Sequence, residues 1–439
     1  MKNLFDLIHK LTWQTFQKAD KSIQMADKYA HNGINLLLRA THKLKPAFEK
    51  GGKLAFLHAT FEAFESFLFV PNRVTRKGSH IRDAIDLKRV MTAVILALVP
   101  ALLFGIWNTG YQHYLATGSD VGFWQTCWFG FLKVLPLIVV SYGVGLGIEF
   151  ISAQIRGHEV NEGYLVTGML IPLIVPADVP LWMVALAVAF AVIIGKEIFG
   201  GTGMNIWNPA LLARAFLFFA YPSHMSGSMV WIAGMSKGVG IVDGFSGATP
   251  LANAAAGLDI PSLQQLFIGA IPGSVGETST LAILLGAAVL LFTGVASWRI
   301  MLSCVLGALG VGFLVNGVAV NSYMELPAYY HLVLGGFAFG AVFMATDPVT
   351  AAQTNTGKWI YGFLIGAFTV CIRLFNPGYP EGMMLAILLM NTFAPLVDYC
   401  VVGGALRRRK AERGKAERGK AERRRGGREA RPYGMGGDF

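Results

Sequence analysis

Long apolar runs, separated by short polar stretches, are the feature that most restricts how this chain folds. A helix needs about 20 mostly apolar residues to cross the hydrocarbon core of a bilayer. With 54% hydrophobic and only 14% charged residues, the chain is too apolar for a soluble globular protein. We therefore predict an all-α polytopic membrane protein with about ten transmembrane helices. The predicted segments are 90–107, 132–153, 164–177, 181–198, 208–222, 278–297, 300–318, 330–346, 359–375 and 381–402.

The third segment, 164–177, is too short for a straight crossing and is bounded by Gly163 and Pro176. We expect a broken or tilted helix that is packed inside the protein. Asn208-Pro209 opens the fifth segment, and Asn376-Pro377 precedes the tenth. Five segments separate the two copies, so they would face opposite sides of the membrane, as in a 5+5 inverted repeat. The match covers only a few residues, and chance similarity is the alternative.

Basic residues concentrate at the two ends of the chain. The tail at 406–439 holds 13 Lys or Arg and 5 Asp or Glu, so it supplies +8 of the formal net charge of +11. The gap at 108–125 contains no Lys or Arg, and the positive-inside rule then places both termini in the cytoplasm. Such ends suit contact with anionic membrane lipid, and we predict no nucleic-acid partner. The predicted regions are a cytoplasmic amphipathic basic region at 1–88, a transmembrane domain at 89–403 and a basic cytoplasmic tail at 404–439, either disordered or a short solvated helix.

The longest polar gap holds the heptapeptide Asp243-Gly244-Phe245-Ser246-Gly247-Ala248-Thr249. Its small residues leave room for an enzyme to close over the threonine hydroxyl, and its glycines permit the turns that such docking needs. By composition alone, a plain turn is the more common interpretation. In the predicted topology this loop lies on the outer, periplasmic side, which makes Thr249 a candidate for modification there.

Two asparagines, Asn205 and Asn208, lie in a glycine-rich interruption at the cytoplasmic end of two segments. A carboxamide both donates and accepts hydrogen bonds, which suits the pyrimidine edge of a flavin ring. Asparagine is also a good N-cap, and capping of the next helix is the alternative that the residue types favour.

Three carboxylates, Glu149, Asp347 and Asp398, fall near the cytoplasmic ends of predicted segments. Carboxylates within a membrane are costly and usually line an ion path or pair with a cation, so these three are candidates for collecting a cation from that side. The alternatives are a helix cap for Asp347 and an interfacial position for Asp398. No second His or Cys stands at metal-ligand spacing, so we predict no metal site in this chain.

Several stretches together resemble the B subunit of the sodium-translocating NADH:quinone oxidoreductase, a bacterial respiratory pump. The resemblance covers about 73–402. The sibling family, the D subunit of the Rnf electron-transport complex, shares the Ser-Gly-Ala-Thr site but typically lacks a long basic N-terminal region. The matching stretches are His158-Glu-Val-Asn-Glu-Gly163, Lys196-Glu-Ile-Phe-Gly-Gly-Thr-Gly203, Asn208-Pro-Ala-Leu211, Arg214-Ala-Phe-Leu-Phe-Phe-Ala-Tyr-Pro222, Ser246-Gly-Ala-Thr249, Ile271-Pro-Gly-Ser-Val-Gly-Glu277 and Asn376-Pro-Gly-Tyr-Pro-Glu-Gly-Met383.

The resemblance implies two flavin sites. Thr249 matches the threonine that carries FMN through a phosphoester bond, which a separate flavin transferase attaches. Thr167, Asn205 and Asn208 match family positions around a non-covalent riboflavin.

The resemblance also implies quinone and ion positions. Gly145 matches a family position linked to quinone-site inhibitors, although Leu146 departs from the family's Gly-Gly. Glu149, Asp347 and Asp398 match carboxylates implicated in sodium uptake.

A subunit of this family would lie in the bacterial inner membrane and pass electrons from covalent FMN via riboflavin to ubiquinone, coupled to Na+ export. Its partners would be the other subunits of a six-subunit complex, including a periplasmic FMN-carrying subunit. Nothing in the sequence resembles a nucleotide-binding domain, so NADH oxidation is expected elsewhere in that complex. The alternative from another class is a secondary transporter with inverted repeats and no redox role, and a structural scaffold subunit is a third.

Overall fold

The computed structural model describes most of the predicted membrane region. The described residues are 87–156, 163–235, 246–320, 323–375 and 381–429, together with Lys45, Pro46, Phe61, Gly78 and Ser79. Three parts of the predicted motifs lie outside them: the stretch from His158 to Glu162, the start of the heptapeptide up to Phe245, and the stretch from Asn376 to Pro380. The predicted N-terminal region at 1–88 lies almost entirely outside them and stays a prediction.

The chain forms two compact units. One comprises Met1–Arg82 and Phe150–Val160, and the other comprises Asp83–Glu149 and Asn161–Phe439. The sites described below belong to the second unit, as do all the helices except the last residues of one, Phe150–Arg156.

Helices make up the regular structure of the described residues. All ten predicted apolar segments contain helix. In chain order the helices are α1 (Leu87–Thr117), α2 (Phe123–Arg156), α3 (Tyr164–Leu173), α4 (Leu181–Val192), α5 (Pro209–Ala220), α6 (Pro250–Ala255), α7 (Leu263–Ile268), α8 (Thr280–Phe292), α9 (Trp298–Val318), α10 (Tyr330–Val333), α11 (Phe337–Phe339), α12 (Asn355–Phe375) and α13 (Met383–Glu429).

Among the described residues, five helices are long and apolar enough to cross a membrane: α1, α2, α9, α12 and α13. Large apolar side chains on these helices remain exposed, such as Leu103, Val139 and Leu314, as expected for a surface that faces lipid. The chain is therefore an all-α polytopic membrane protein. The other five predicted segments hold shorter helices, several of them extended or interrupted by irregular turns.

The third segment is short, as its flanking Gly and Pro predict. Helix α3 has ten residues, or about 15 Å at 1.5 Å per residue, and seven of them are buried. The protein supplies hydrogen bonds along and beyond it. Tyr142 Oη donates to the Leu165 carbonyl at 2.6 Å, and Gly276 N donates to the Leu173 carbonyl at 2.7 Å. A broken helix is tolerated at membrane depth when its backbone groups are satisfied in this way.

The eighth segment, five crossings later, is also broken. Helices α10 and α11 are separated by Leu334, Gly335 and Gly336, and a π-helical turn at Gly340–Met344 follows. Arg373 of α12 is buried and donates to the carbonyls of His331 at 2.9 Å and Leu334 at 2.8 Å. Short segments at corresponding positions of two halves are typical of inverted repeats, so this pair supports the predicted 5+5 repeat.

Glycines bring α9 and α12 into backbone contact. A Cβ added at Gly307 would overlap the carbonyl oxygen of Phe363, and one at Gly366 would overlap that of Cys304. Small residues allow this close approach between membrane helices, where van der Waals packing replaces the hydrophobic effect as the driving force.

Helix α13 continues beyond the predicted span without a break. It has 47 residues and ends at Glu429, so the first part of the predicted tail is helical up to that residue. The Lys-Ala-Glu-Arg repeats account for this, because Ala, Glu, Lys and Arg are strong helix formers.

We expect Gly307→Ala to lower the free energy of unfolding by about 1–3 kcal/mol, since the added methyl group forces the two backbones apart. Gly310→Ala on the same helix is the matched control, because a Cβ there meets nothing within 4 Å. It should leave stability unchanged or raise it by up to about 1 kcal/mol through helix propensity. Thermal unfolding of the purified chain in detergent measures both. Equal losses for the two variants would contradict the close-packing interpretation.

Candidate functional site

Thr249 lies at the N-cap of α6, and its side chain is partly exposed. Its Oγ1 accepts a hydrogen bond from Ala252 N at 3.2 Å. Next to it, Gly247 is buried, and a Cβ there would overlap the carbonyl oxygen of Ser228. The small residues of the heptapeptide thus let the loop pack tightly while one face of the threonine stays accessible.

Thr249 also lines an open cavity of about 250 Å³, which we call the Thr249 pocket. Trp231 and Phe218 give it aromatic walls, and Ser226 and Thr278 bring hydroxyl groups. Apolar walls with a few convergent polar groups are typical of cofactor sites. A flat aromatic ring attached at Thr249 would therefore find apolar surface and hydrogen-bonding groups within this cavity.

Arg214 of α5 adds charge to the Thr249 pocket. It forms ion pairs with Glu277 and Glu381, and all three side chains line the cavity. Burial raises the pKa of Glu277, and the nearby Arg214 guanidinium opposes this shift. Two carboxylates share the Arg214 guanidinium, and the buried Arg373 lies next to one of them, since its Nε donates to the Glu381 carbonyl at 3.2 Å. Sequence patterns assign no role to Arg214, because they do not show which carboxylates a buried arginine meets.

A second cavity brings together the three residues predicted around riboflavin and one residue predicted for an ion path. Thr167, Asn205, Asn208 and Asp347 all line it, and so does Lys196. We call it the asparagine pocket. Sequence spacing alone did not predict this convergence, because 180 positions separate Thr167 from Asp347.

The two asparagines have different roles in the asparagine pocket. Asn208 is the N-cap of α5, and its Oδ1 accepts from Ala210 N at 2.9 Å. The predicted capping role is therefore confirmed for Asn208. Asn205 Nδ2 instead donates to the carbonyl of Trp207 at 3.1 Å, so this side chain stabilises the turn that leads into α5.

The chemistry of the asparagine pocket fits a flavin. Thr202 lines it, and its buried Oγ1 makes no hydrogen bond to the described residues. A buried hydroxyl without a partner is unfavourable, and a polar ring edge would satisfy it. Leu170 and Phe343 supply apolar surface for the faces of such a ring.

Asp347 is held by the turn that follows it. Its carboxylate accepts from Val349 N at 3.1 Å and from Thr350 Oγ1 at 2.9 Å. Burial raises its pKa, and these two hydrogen bonds oppose the shift. The predicted capping role therefore explains these two hydrogen bonds of Asp347. Its side chain also lines the asparagine pocket, so it would lie near a ligand bound there.

Glu149 lies behind the wall of the asparagine pocket. Its Oε1 forms an ion pair with Lys196, and both side chains are 4% exposed. Its other oxygen, Oε2, is buried without a hydrogen-bond partner among the described residues. The structure thus connects a predicted ion-path residue to the predicted flavin site through one lysine.

Asp398 lies outside both pockets. Its carboxylate accepts from Gln353 N at 2.6 Å, Thr354 N at 3.0 Å and Thr354 Oγ1 at 2.6 Å. These bonds connect α13 to the residues just before α12. Its predicted role in an ion path stays a prediction, and both of its oxygens already accept hydrogen bonds.

Gly145 lies where α2 contacts α3. A Cβ at this position would overlap the ring of Tyr164, whose hydroxyl donates to the Ser141 carbonyl at 2.9 Å. Tyr164 precedes Thr167 by almost one helical turn, so Gly145 sets the position of a helix that lines the asparagine pocket. Its predicted link to the quinone site stays a prediction.

We expect Gly145→Ala to displace Tyr164 and to lower the free energy of unfolding by about 1–3 kcal/mol, since a well-packed site has no room for an added methyl group. Gly147→Ala on the same helix meets nothing within 4 Å and is the matched control. Thermal unfolding in detergent measures the difference. Identical melting curves for the two variants would show that α3 tolerates the displacement.

Comparison with known proteins decides the family. The sequence model of the NQR2, RnfD, RnfE family matches residues 74–406. The chain belongs to this family. The match includes both pockets and all the predicted site residues.

Relatives within the family are similar over nearly their whole length. The B subunit of the Na(+)-translocating NADH-quinone reductase of Ectopseudomonas mendocina (strain ymp) is 49% identical, covering 84% of this chain and 97% of the relative. The B subunit from Stutzerimonas stutzeri (strain A1501) is 47% identical with the same coverage. That of Pseudomonas aeruginosa (strain LESB58) is 46% identical over 87% of this chain and 99% of the relative. The resemblance to the B subunit is therefore confirmed.

Proposed function

We propose that this chain is the B subunit of a Na+-translocating NADH-quinone reductase, in which it passes electrons from covalent FMN via riboflavin to ubiquinone and couples this transfer to Na+ export. Close relatives carry that subunit's name. Its partners are then the other subunits of the complex, including a periplasmic FMN-carrying subunit. In this assignment the chain lies in the bacterial inner membrane with both termini in the cytoplasm.

The observation that carries the proposal is the placement of two pockets along α5. Asn208 at its start lines the asparagine pocket, and Arg214 and Phe218 further along line the Thr249 pocket. The ten residue steps from Asn208 to Phe218 correspond to about 15 Å along the helix. One largely buried helix thus contributes residues to both pockets and fixes the distance between them.

Each pocket has a proposed occupant. FMN is attached to Thr249 Oγ1 by a flavin transferase and rests its ring in the Thr249 pocket. Riboflavin binds in the asparagine pocket, held by Thr167, Asn205 and Asn208. When bound, the flavins supply the redox chemistry, and the chain positions them and sets their electrostatic surroundings.

The ion and quinone roles are supported more indirectly. Glu149 pairs with Lys196, which lines the asparagine pocket, and Asp347 lines the pocket directly. Both carboxylates are therefore close enough to interact electrostatically with a charge on a ring bound there. Asp398 lies at the same predicted end of the membrane domain as Glu149 and Asp347, and this position is the support for assigning it to the same ion path. Gly145 would affect ubiquinone reduction through the position of Tyr164 and α3.

Thr249→Ala, coexpressed with the flavin transferase, should abolish covalent flavin, because the acceptor hydroxyl is absent. Thr249→Asn is the sharper variant, since asparagine preserves the N-cap of α6 and has no hydroxyl that could form the phosphoester. Flavin fluorescence of the denatured chain in a gel measures the attachment. A fluorescent Thr249→Asn band would place the covalent flavin at another residue, whereas a dark wild-type band would reject covalent FMN and favour a transporter without a redox role.

Asn205→Leu should weaken the binding of non-covalent flavin by roughly two- to tenfold, because an apolar side chain replaces a polar group in the asparagine pocket and a lost hydrogen bond between uncharged groups costs about 0.5–1.5 kcal/mol. Covalent flavin at Thr249 should be unchanged. Flavin released by acid precipitation and flavin retained on the chain are measured separately, and Thr249→Asn serves as the reciprocal control. Unchanged release from Asn205→Leu would contradict a riboflavin site here.

A further inference from the structure

The chain between α5 and the heptapeptide forms one wall of the Thr249 pocket. We call residues 225–235 the wall loop, and the cavity is lined by its Met225, Ser226, Ser228 and Trp231. The loop consists of turns and bends instead of regular helix. Its position therefore depends on contacts with other parts of the chain.

Asp178 holds the end of the wall loop. It lies in the turn between α3 and α4, and its side chain is 11% exposed. Its Oδ2 accepts a hydrogen bond from Gly234 N at 2.6 Å, and its Oδ1 pairs with Lys133 Nζ of α2 at 3.3 Å. Hydrogen bonds to an ionised acceptor are roughly twice as strong as those between neutral groups. The carboxylate thus ties the loop to the turn after α3.

His113 of α1 makes a second hydrogen bond to the wall loop. Its Nδ1 donates to the Ala233 carbonyl at 2.6 Å, and its ring stacks on that of Phe129 with the centroids 4.0 Å apart. Gly234 has a φ of +82°, and a Cβ there would come within 3.3 Å of His113 Cε1. A glycine suits this position because it adopts the left-handed conformation without strain. The loop end therefore fits closely against α1.

The other side of the wall loop packs against the heptapeptide. A Cβ added at Gly247 would overlap the side chain of Ile232 and the carbonyl oxygen of Ser228. Ile232 is fully buried. The loop is thus enclosed between the Asp178 contact and the residues that lead to Thr249, so a change at one side is transmitted to the other through tightly packed atoms.

We propose that Asp178 is a positioning residue for the flavin at Thr249, because by fixing Gly234 it holds the indole of Trp231 against the attached ring. This inference rests on the proposed covalent FMN. Trp231 precedes Gly234 by three residues, so a displacement of the loop end moves the indole. Asp178 is not one of the described residues that line the pocket, and its effect on the ring passes through the wall loop.

The experiment uses the fluorescence of the attached flavin. An indole in contact with a flavin quenches its emission, because the excited ring takes an electron from the indole and returns it without emitting light. Emission of the folded full chain, coexpressed with the flavin transferase, is compared with its emission after denaturation and normalised to covalent flavin. The signal of Thr249→Asn, which holds only non-covalent flavin, is subtracted. We expect strong quenching in the wild type and its relief in Trp231→Phe.

Asp178→Ala should also relieve the quenching. Loss of a hydrogen bond to a charged acceptor shifts the ratio of closed to open loop by about 10- to 100-fold. Asp178→Asn keeps an oxygen that accepts from Gly234 N, so it should retain most of the quenching. In the Trp231→Phe background, Asp178→Ala should change nothing further, whereas general damage to the fold would alter the emission in both backgrounds.

Hydrogen exchange of the wall loop tests the same contact without a flavin. In the Thr249→Asn background, Asp178→Ala should speed exchange of the loop amides by about 10- to 100-fold, since exchange follows local opening. Lys133→Met is the matched control, because it removes the ion-pair partner of Asp178 and leaves the bond to Gly234 N. It should keep both the slow exchange and the quenching.

A double variant covers the case in which Asp178→Ala alone does not fold. Asp178→Ala/Lys133→Met leaves neither charge without its partner, and it is compared with Lys133→Met. The double variant should show the faster exchange and the relieved quenching that are expected of Asp178→Ala.

The outcomes distinguish this inference from the proposed function. A chain without covalent flavin would reject FMN at Thr249, and the positioning role with it. Covalent flavin whose quenching is the same in the wild type and Asp178→Ala would overturn the positioning role alone. Quenching that persists in Trp231→Phe, or a further effect of Asp178→Ala in that background, would overturn it as well.

Discussion

A backbone carbonyl inside a bilayer has no water to bond with, so a broken helix persists only where the protein supplies the missing donors. Arg373 provides two such hydrogen bonds to the interrupted eighth segment, and Gly276 N provides one at the end of α3. Both pockets lie at these interruptions: Gly335 lines the Thr249 pocket and Thr167 lines the asparagine pocket. The geometry of each site therefore depends on hydrogen bonds made well away from any ligand.

Buried charge accompanies each pocket in a different form. Arg214 shares its guanidinium between two carboxylates beside Thr249, whereas Lys196 pairs with one carboxylate behind the asparagine pocket. Buried ion pairs contribute little to stability once their desolvation is counted, so stability is a weak explanation for them. Their location is more informative, because a fixed charge next to a redox-active ring alters how readily that ring accepts an electron.

Residue types and spacing predicted the local features well. The ten apolar segments, the short third helix between Gly163 and Pro176, and the capping by Asn208 before a proline all follow from backbone chemistry within a few residues. The grouping of Thr167 with Asn205 and Asn208 came only from family resemblance, and the position of Asp347 on the same pocket wall was not predicted, since apolar periodicity does not show which membrane helices pack together. The ion pair between Lys196 and Glu149 was not predicted for the same reason, and the π-helical turn at Ile193–Glu197 that accompanies it has no clear sequence signal.

The length of α13 has a practical consequence. Its 47 residues form a rod of about 70 Å, more than twice the thickness of a hydrocarbon core of about 30 Å. A fluorophore or a small rigid domain fused in register near Glu429 would therefore amplify any tilt or rotation of the buried end. The same continuous helix would serve as a fiducial for aligning images of the membrane part, since its orientation follows that of the span from which it extends.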